Sequence, residues 1–261
     1  MRPRTKKILS IYTVLIFMFF YIPIAILMAF SFNDSKVGTV WTGFTVDWYV
    51  SLFSNEQILT AAYNSLLIAV VTTIIATICG TLAALAFHRY SFPGKKALDF
   101  LFYIPVVIPD IVVAVALLAL YGWLQVTLGL STVLPGHVAI TISYVMLVVL
   151  ARLAGLDNQL EEAAKDLGAN EWHTFWKVTF PLISPGILAG ALLAFTISLD
   201  EFVITYFTSG PSANTLPVLV YSMVRMGVSP EINALSTILV LLIIITVMVV
   251  GKRMHIGNRE G

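Results

Sequence analysis

Three carboxylates stand where an apolar chain can least accommodate them. Asp110 follows Pro109 in "YIPVVIPD", and Asp200 and Glu201 are adjacent in "SLDEF". A carboxylate in hydrocarbon is costly, so each must face a cavity, a partner or water. Neighbouring side chains on a helix point about 100° apart. Asp200 and Glu201 therefore cannot share one environment: at least one is expected to face a cavity or water while the other meets a neighbouring helix. Asp110 or Asp200 is alternatively read as making only an interhelical hydrogen bond or a helix break. Catalysis is not expected. The sequence holds no phosphate-cradling G-x-x-x-x-G-K-[ST], no H-E-x-x-H and no Ser/His/Asp set at a recognisable elbow. Cys79 is the single cysteine and lies in an apolar run, which predicts a quiet buried thiol. His88, His137, His173 and His255 are scattered, so no metal centre is expected. The chain reads as a non-enzyme that binds no cofactor of its own.

The elements that must position these acids are membrane helices. The chain is 59% hydrophobic and 11% charged, against roughly 25% charged in soluble domains. Such a composition cannot clothe a water-soluble surface. Arg2, Arg4, Lys6 and Lys7 precede the apolar run 8–32, which is too long for the core of a cleaved signal and lacks an A-x-A site. It reads as a retained first span. A bilayer core asks for roughly 20 apolar residues in a helix. The segments 9–31, 61–87, 99–121, 134–155, 186–208 and 232–251 qualify, predicting an all-α polytopic protein with six transmembrane helices. With six spans, 13 of the 15 Lys and Arg residues fall on one side, and only Lys36 and Arg225 on the other. That asymmetry predicts cytoplasmic termini.

Punctuation inside and between the spans adds detail. Pro105 and Pro109 each remove an amide donor near the start of the third span, which predicts disturbed backbone facing the protein interior. "DWYVSLF" (Asp47–Phe53) reads as a short interfacial helix capped by Asp47 or a nearby residue. "LPVLVYSMV" after Pro211 reads as either a short helix or a partly re-entrant one.

One long stretch, "EAAKDLGANEWHTFWKVTFPLISPG" from Glu162 to Gly186, carries several charges. Leu160, Ala163, Ala164 and Leu167 recur at helical spacing opposite Glu161, Glu162, Lys165 and Asp166, which predicts an amphipathic helix of about two turns. Asn158 stands at the N-cap position, with Glu161 three residues on and able to pair with Lys165. Gly168 is expected to end the helix. "NEWHTFWKV" then predicts a second short helix with Trp172, Phe175 and Trp176 on one face, stopped by Pro181 and Pro185. A helix lying in the headgroup layer would explain the tryptophans. It does not explain the small pairs Ala163-Ala164 and Gly168-Ala169, which suit close approach of a partner.

Glu162, Ala163, Ala164, Gly168, Val178 and Pro181 resemble the EAA loop of bacterial ABC-importer permeases, with Val178 where isoleucine is common and Phe180 where leucine is common. The resemblance implies a type I ABC-importer permease fold, a single transmembrane permease domain over 1–261, and a cytoplasmic coupling loop at 156–185. In it, Glu162, Ala163, Ala164, Gly168, Ala169, Val178 and Pro181 would engage an ATPase. "SLDEFVITYFTSG" and "YIPVVIPDIVVAVALL" further resemble the spermidine/putrescine branch, in its PotC-type subunits. That branch implies a PotB-type sister permease and two copies of an ABC ATPase carrying ATP and Mg2+. It also implies an extracytoplasmic polyamine-binding protein and a place in the bacterial inner membrane, with no nucleic acid as partner. Permeases for another small solute, or an ion-coupled secondary transporter, are the alternatives. For a polycation, sparse carboxylates (Asp110, Asp200, Glu201) beside Tyr103, Tyr206 and Phe207 could replace lost hydration by ion pairing and cation–π contact. Dense acids would hold it too tightly to release.

Overall fold

The computed structural model describes residues 3–35, 40–157, 159–211, 213–226 and 230–257. In chain order the helices are α1 (Pro3–Phe30), α2 (Asp47–Ser54), α3 (Glu56–Arg89), α4 (Lys95–Val107), α5 (Asp110–Trp123) and α6 (Leu130–Ala154). They continue as α7 (Gln159–Asp166), α8 (Glu171–Thr174), a π-helical turn (Phe175–Thr179), α9 (Phe180–Asp200), α10 (Val203–Thr208), α11 (Leu216–Met226) and α12 (Pro230–Gly257). Contacts divide the chain into two compact units, 1–59 with 220–261, and 60–219.

In the first unit α12 packs against both α1 and α2. The loop after α1 is organised by Asn33, which is buried. Its Nδ2 donates to Val40 O (2.7 Å), its Oδ1 accepts from Thr42 N (2.9 Å), and its carbonyl accepts from Trp48 Nε1 (2.8 Å). Phe32 stacks on Phe44 with ring centroids 5.4 Å apart. The expected helix at "DWYVSLF" forms as α2, but Asp47 is its first residue rather than its cap. Val46 holds the cap position without a side-chain bond. Lys36, expected on the outer side, lies outside the described residues.

In the second unit the core is the α6–α9 contact. Ala76, Ala84, Phe87, Val145, Met146, Val149, Leu153, Ile183 and Ala194 form its buried cluster. Helices in lipid gain little by hiding apolar surface, because lipid is equally apolar, so they associate through small residues that let backbones approach. Val145 is gripped this way from two sides. A Cβ on Gly80 of α3 would fall 2.8 Å from Val145 Cβ, and one on Gly190 of α9 would fall 3.4 Å from Val145 Cα.

Several expected boundaries shift. The third span is not one straight helix: α4 and α5 meet at 106° across Ile108–Pro109. Proline disfavours helical geometry in the residue before it, and Ile108 is extended (φ −75°, ψ 134°). Pro105, by contrast, is carried inside α4. The fourth span begins at Leu130, upstream of the Pro135–Gly136 pair, because Thr132 holds Gly129 N through its Oγ1 (2.8 Å) and starts the helix earlier. The fifth ends at Asp200, where Glu201 turns extended (ψ 102°) and α10 restarts at Val203. Pro181 and Pro185 do not stop a helix. Residues 171–200 run on as one helical span through the π turn. Phe180 N bonds five residues back to Phe175 O, and Pro181 enters in the first turn of α9, where a missing N–H is tolerated. Cys79 is exposed on α3, not buried. "LPVLVYSMV" forms the helix α11. Among the described residues four helices are long and apolar enough to cross a membrane, or five with the bent α4–α5 pair. The protein is thus an all-α polytopic membrane protein.

Candidate functional site

The charged stretch folds as two helical pieces joined at a tight turn. Asn158 lies outside the described residues; Asp157 Oδ1 accepts from Gln159 N (3.0 Å) at the start of α7. At its end Gly168 N bonds to Lys165 O (2.9 Å) and Ala169 N to Ala164 O (3.0 Å). These are the paired bonds of a Schellman turn, and Gly168 adopts the left-handed φ of +87° that the motif requires. Leu167 is left 90% exposed beside it. Asn170 then caps α8, its Oδ1 accepting from His173 N at 2.9 Å.

Glu161 does not pair with Lys165. It turns inward, where Arg89 Nη2 at the end of α3 donates to its Oε1 (2.5 Å) and Thr179 Oγ1 donates to the same atom (2.5 Å). Lys165 instead meets Glu171 at 2.7 Å, a hydrogen bond that raises the lysine pKa above its ordinary value. Of the residues read as a docking set, Ala164, Gly168, Ala169 and Val178 line one open groove of about 500 Å³, with Leu167, Asn170, His173, Thr174 and Lys177. Glu162 and Ala163 are exposed on α7, and Pro181 is exposed in the first turn of α9. Trp172 and Trp176 share a face with Phe180, the Trp172–Trp176 centroids lying 5.6 Å apart and Trp176–Phe180 5.0 Å.

The acidic set converges on the α9–α10 break. Asp200 is the exposed last residue of α9 and Asp110 the exposed first residue of α5. Helices α5 and α10 pack together. Glu201 has a structural task, since its Oε1 accepts from Ile204 N (3.0 Å) and so caps α10. Tyr206 lies against Phe202 (5.4 Å) and Phe207 (5.5 Å). Phe207 packs partly buried against Ala114, Ile140 and Ile204. Tyr103 is 40% exposed on α4, across the Pro109 bend from Asp110.

Beneath the break lies a buried polar knot that sequence reasoning missed. His137 of α6 is 2% exposed, with Nδ1 2.8 Å from Ser198 Oγ of α9 and Nε2 2.9 Å from Thr205 Oγ1 of α10. Thr205 spends its hydroxyl proton on Glu201 O (3.0 Å), so its oxygen accepts from Nε2–H. In the neutral ring Nδ1 then accepts from Ser198. Thr132 Oγ1 donates to Thr208 O (2.7 Å), and Tyr121 Oη to Thr132 O (2.9 Å). The signal in the sequence was a histidine, serine and threonines in apolar spans, which rarely stand there unpaired.

Residues 76–255 match the family described as "Binding-protein-dependent transport system inner membrane component". The chain belongs to that family. This permease is also 43% identical over 233 residues to the spermidine/putrescine transport system permease protein PotC of Escherichia coli K12, covering 89% of this chain and 88% of the relative. It is 43% identical over 231 residues to the putrescine transport system permease protein PotI of the same strain, covering 85% and 82%. A crystal structure of a bacterial ABC transporter that imports the acidic polysaccharide alginate shares its fold. There the TM-score is 0.74 at 19% identity, over 97% of this chain and 95% of that one. The permease is thus a multi-pass, non-catalytic membrane subunit of an ABC-type importer, a multi-subunit assembly of the bacterial inner membrane. The groove at Gly168 and the acidic break lie in it at residues the family match spans.

Proposed function

We propose that the permease forms half of the translocation pathway for a polyamine, spermidine or putrescine. In this reading it is one domain of six spans with both termini cytoplasmic. Its partners are a PotB-type sister permease, two copies of an ABC ATPase holding ATP and Mg2+, and an extracytoplasmic polyamine-binding protein. Near full-length similarity at 43% identity to a spermidine/putrescine permease carries the reading. The loop 156–185 serves as the coupling element. A helix ended by a left-handed glycine, with small residues along an open groove, presents a shape that a cleft on an ATPase can grip, and Glu162 faces outward on it.

The acids at the α9–α10 break suit the cargo. Ammonium groups that have shed water are favoured near carboxylates, and sparse carboxylates allow release. Asp200, uncommitted to helix capping, is the better candidate to meet them. Co-purification from mild detergent, followed by uptake of labelled spermidine into vesicles, tests the proposal. Uptake should require internal ATP and persist when ion gradients are collapsed. Recovery without an ATPase or second permease, or uptake that follows an ion gradient, sinks it.

A further inference from the structure

Adjacent Glu161 and Glu162 have opposite surroundings. Glu162 is exposed, whereas Glu161 is half-buried and closes a ring of three hydrogen bonds. Arg89 Nη2 donates to Glu161 Oε1 (2.5 Å) and to Thr179 Oγ1 (3.0 Å), and Thr179 Oγ1 donates to Glu161 Oε1 (2.5 Å). Each member sits on a different element. Arg89 is the last residue of α3, where a cation also suits the negative helix end. Glu161 is in the first turn of α7, and Thr179, fully buried, ends the π turn that feeds α9. π turns inside helices recur at functional sites.

We propose that Arg89, Glu161 and Thr179 form the clamp through which movement of α7 is delivered to the spans, resting on the reading of α7 as the coupling helix. The Arg89–Glu161 side chains are 26% and 28% exposed, and an ion pair that wet contributes little stability. What it supplies is linkage. With the ring closed, α7 cannot be displaced without carrying the end of α3 and the start of α9 along. With the ring open, α7 keeps its contacts with α8 and the π turn, the solvent-exposed Lys165–Glu171 pair among them, but loses its polar tie to the end of α3. Arg89 and Glu161 line a cavity of about 210 Å³ together with His88, Leu153, Leu156, Asp157 and Leu182, so an unclamped Glu161 has room to swing away. Glu162 faces the partner and Glu161 faces the spans; Arg89 and Thr179 are positioning residues that act through Glu161.

The test uses the complex with its ATPase in liposomes, labelled spermidine as probe, and uptake per ATP hydrolysed as readout, so that complexes lost in assembly drop out. Arg89→Glu and Glu161→Arg should each lower that ratio about tenfold, and the double exchange should return it to within about threefold of the parent. Thr179→Val, which leaves the ion pair, should lower it about twofold, and Glu161→Gln should fall between. Ratios at the parental level in both charge reversals overturn the clamp, as does a double exchange no better than either single variant. A parent complex that moves no spermidine with ATP overturns the importer reading instead, which separates the two failures.

Discussion

The α7 loop and the knot beneath the α9–α10 break both hold helices together with polar side chains, yet they use opposite chemistry. Around α7 the contacts are ionic: Arg89 with Glu161, and Lys165 with Glu171, all at least partly in reach of water. Around His137 every partner is neutral, and the residues are buried. Burying an ion requires stripping its hydration, whereas a hydroxyl or imidazole loses far less if each donor finds an acceptor. Charge is thus kept where solvent can reach it. Inside the helix packing, hydroxyl groups and one imidazole do the joining.

The largest effects should come from breaking the outer region. Gly168→Val forces a β-branched side chain to φ +87°, a strain of at least about 1–2 kcal/mol. Together with Glu162→Lys, it should abolish ATPase recovery and uptake while membrane insertion stays normal, as read by co-purification and fractionation. From the sequence, Gly168→Ala is the mild variant unless the glycine has positive φ. It does, and the space around it is open, so alanine should also impair uptake, through backbone strain alone.

Breaking the inner region should act on stability first. His137→Leu leaves Ser198 without its partner in a buried site, costing about 1–3 kcal/mol. A lowered melting temperature in detergent should follow. Ser198→Ala added to it should recover part of the loss, and recovery of none would place the cost elsewhere.

At the carboxylates the two roles separate. Asp200→Asn should reduce spermidine uptake per assembled complex more than assembly itself. Glu201→Gln keeps an acceptor for Ile204 N and should leave assembly near the parental level. If both variants transport like the parent, no acidic path exists. The smallest effect belongs to Lys165→Met. Its ion pair with Glu171 is open to solvent, so uptake should stay near parental, and added salt should matter little.

Much of this was legible in the sequence. Apolar length announced an all-α membrane protein, although four of the described helices, or five with the bent pair, rather than six are long and apolar enough to cross. The turn at Gly168 was written in a glycine after an amphipathic run. What escaped detection has a common cause. Helices α3, α6 and α9 are mostly apolar, and only their few polar residues mark the packed face, so Cys79 was placed inside when it lies outside. Arg89 and Glu161 are 72 residues apart, beyond the reach of local pairing rules, which instead suggested Lys165. Prolines were read alike, although Pro109 breaks a span, Pro105 does not, and Pro181 is absorbed by a π turn that no periodicity foretells.

Val145, held between Gly80 and Gly190, is a close-packed point near the middle of α6 about which a tilt of that helix can be reckoned. Arg152, whose Nε donates to Leu182 O at 2.9 Å, lies seven residues to one side, and His137 eight residues to the other. At 1.5 Å per residue those arms are about 10 and 12 Å, so a tilt of about 10° about Val145 shifts the two ends by roughly 2 Å in opposite senses. Such a tilt would carry the Arg152 end and the His137 end, with its bonds to Ser198 and Thr205, in opposite directions.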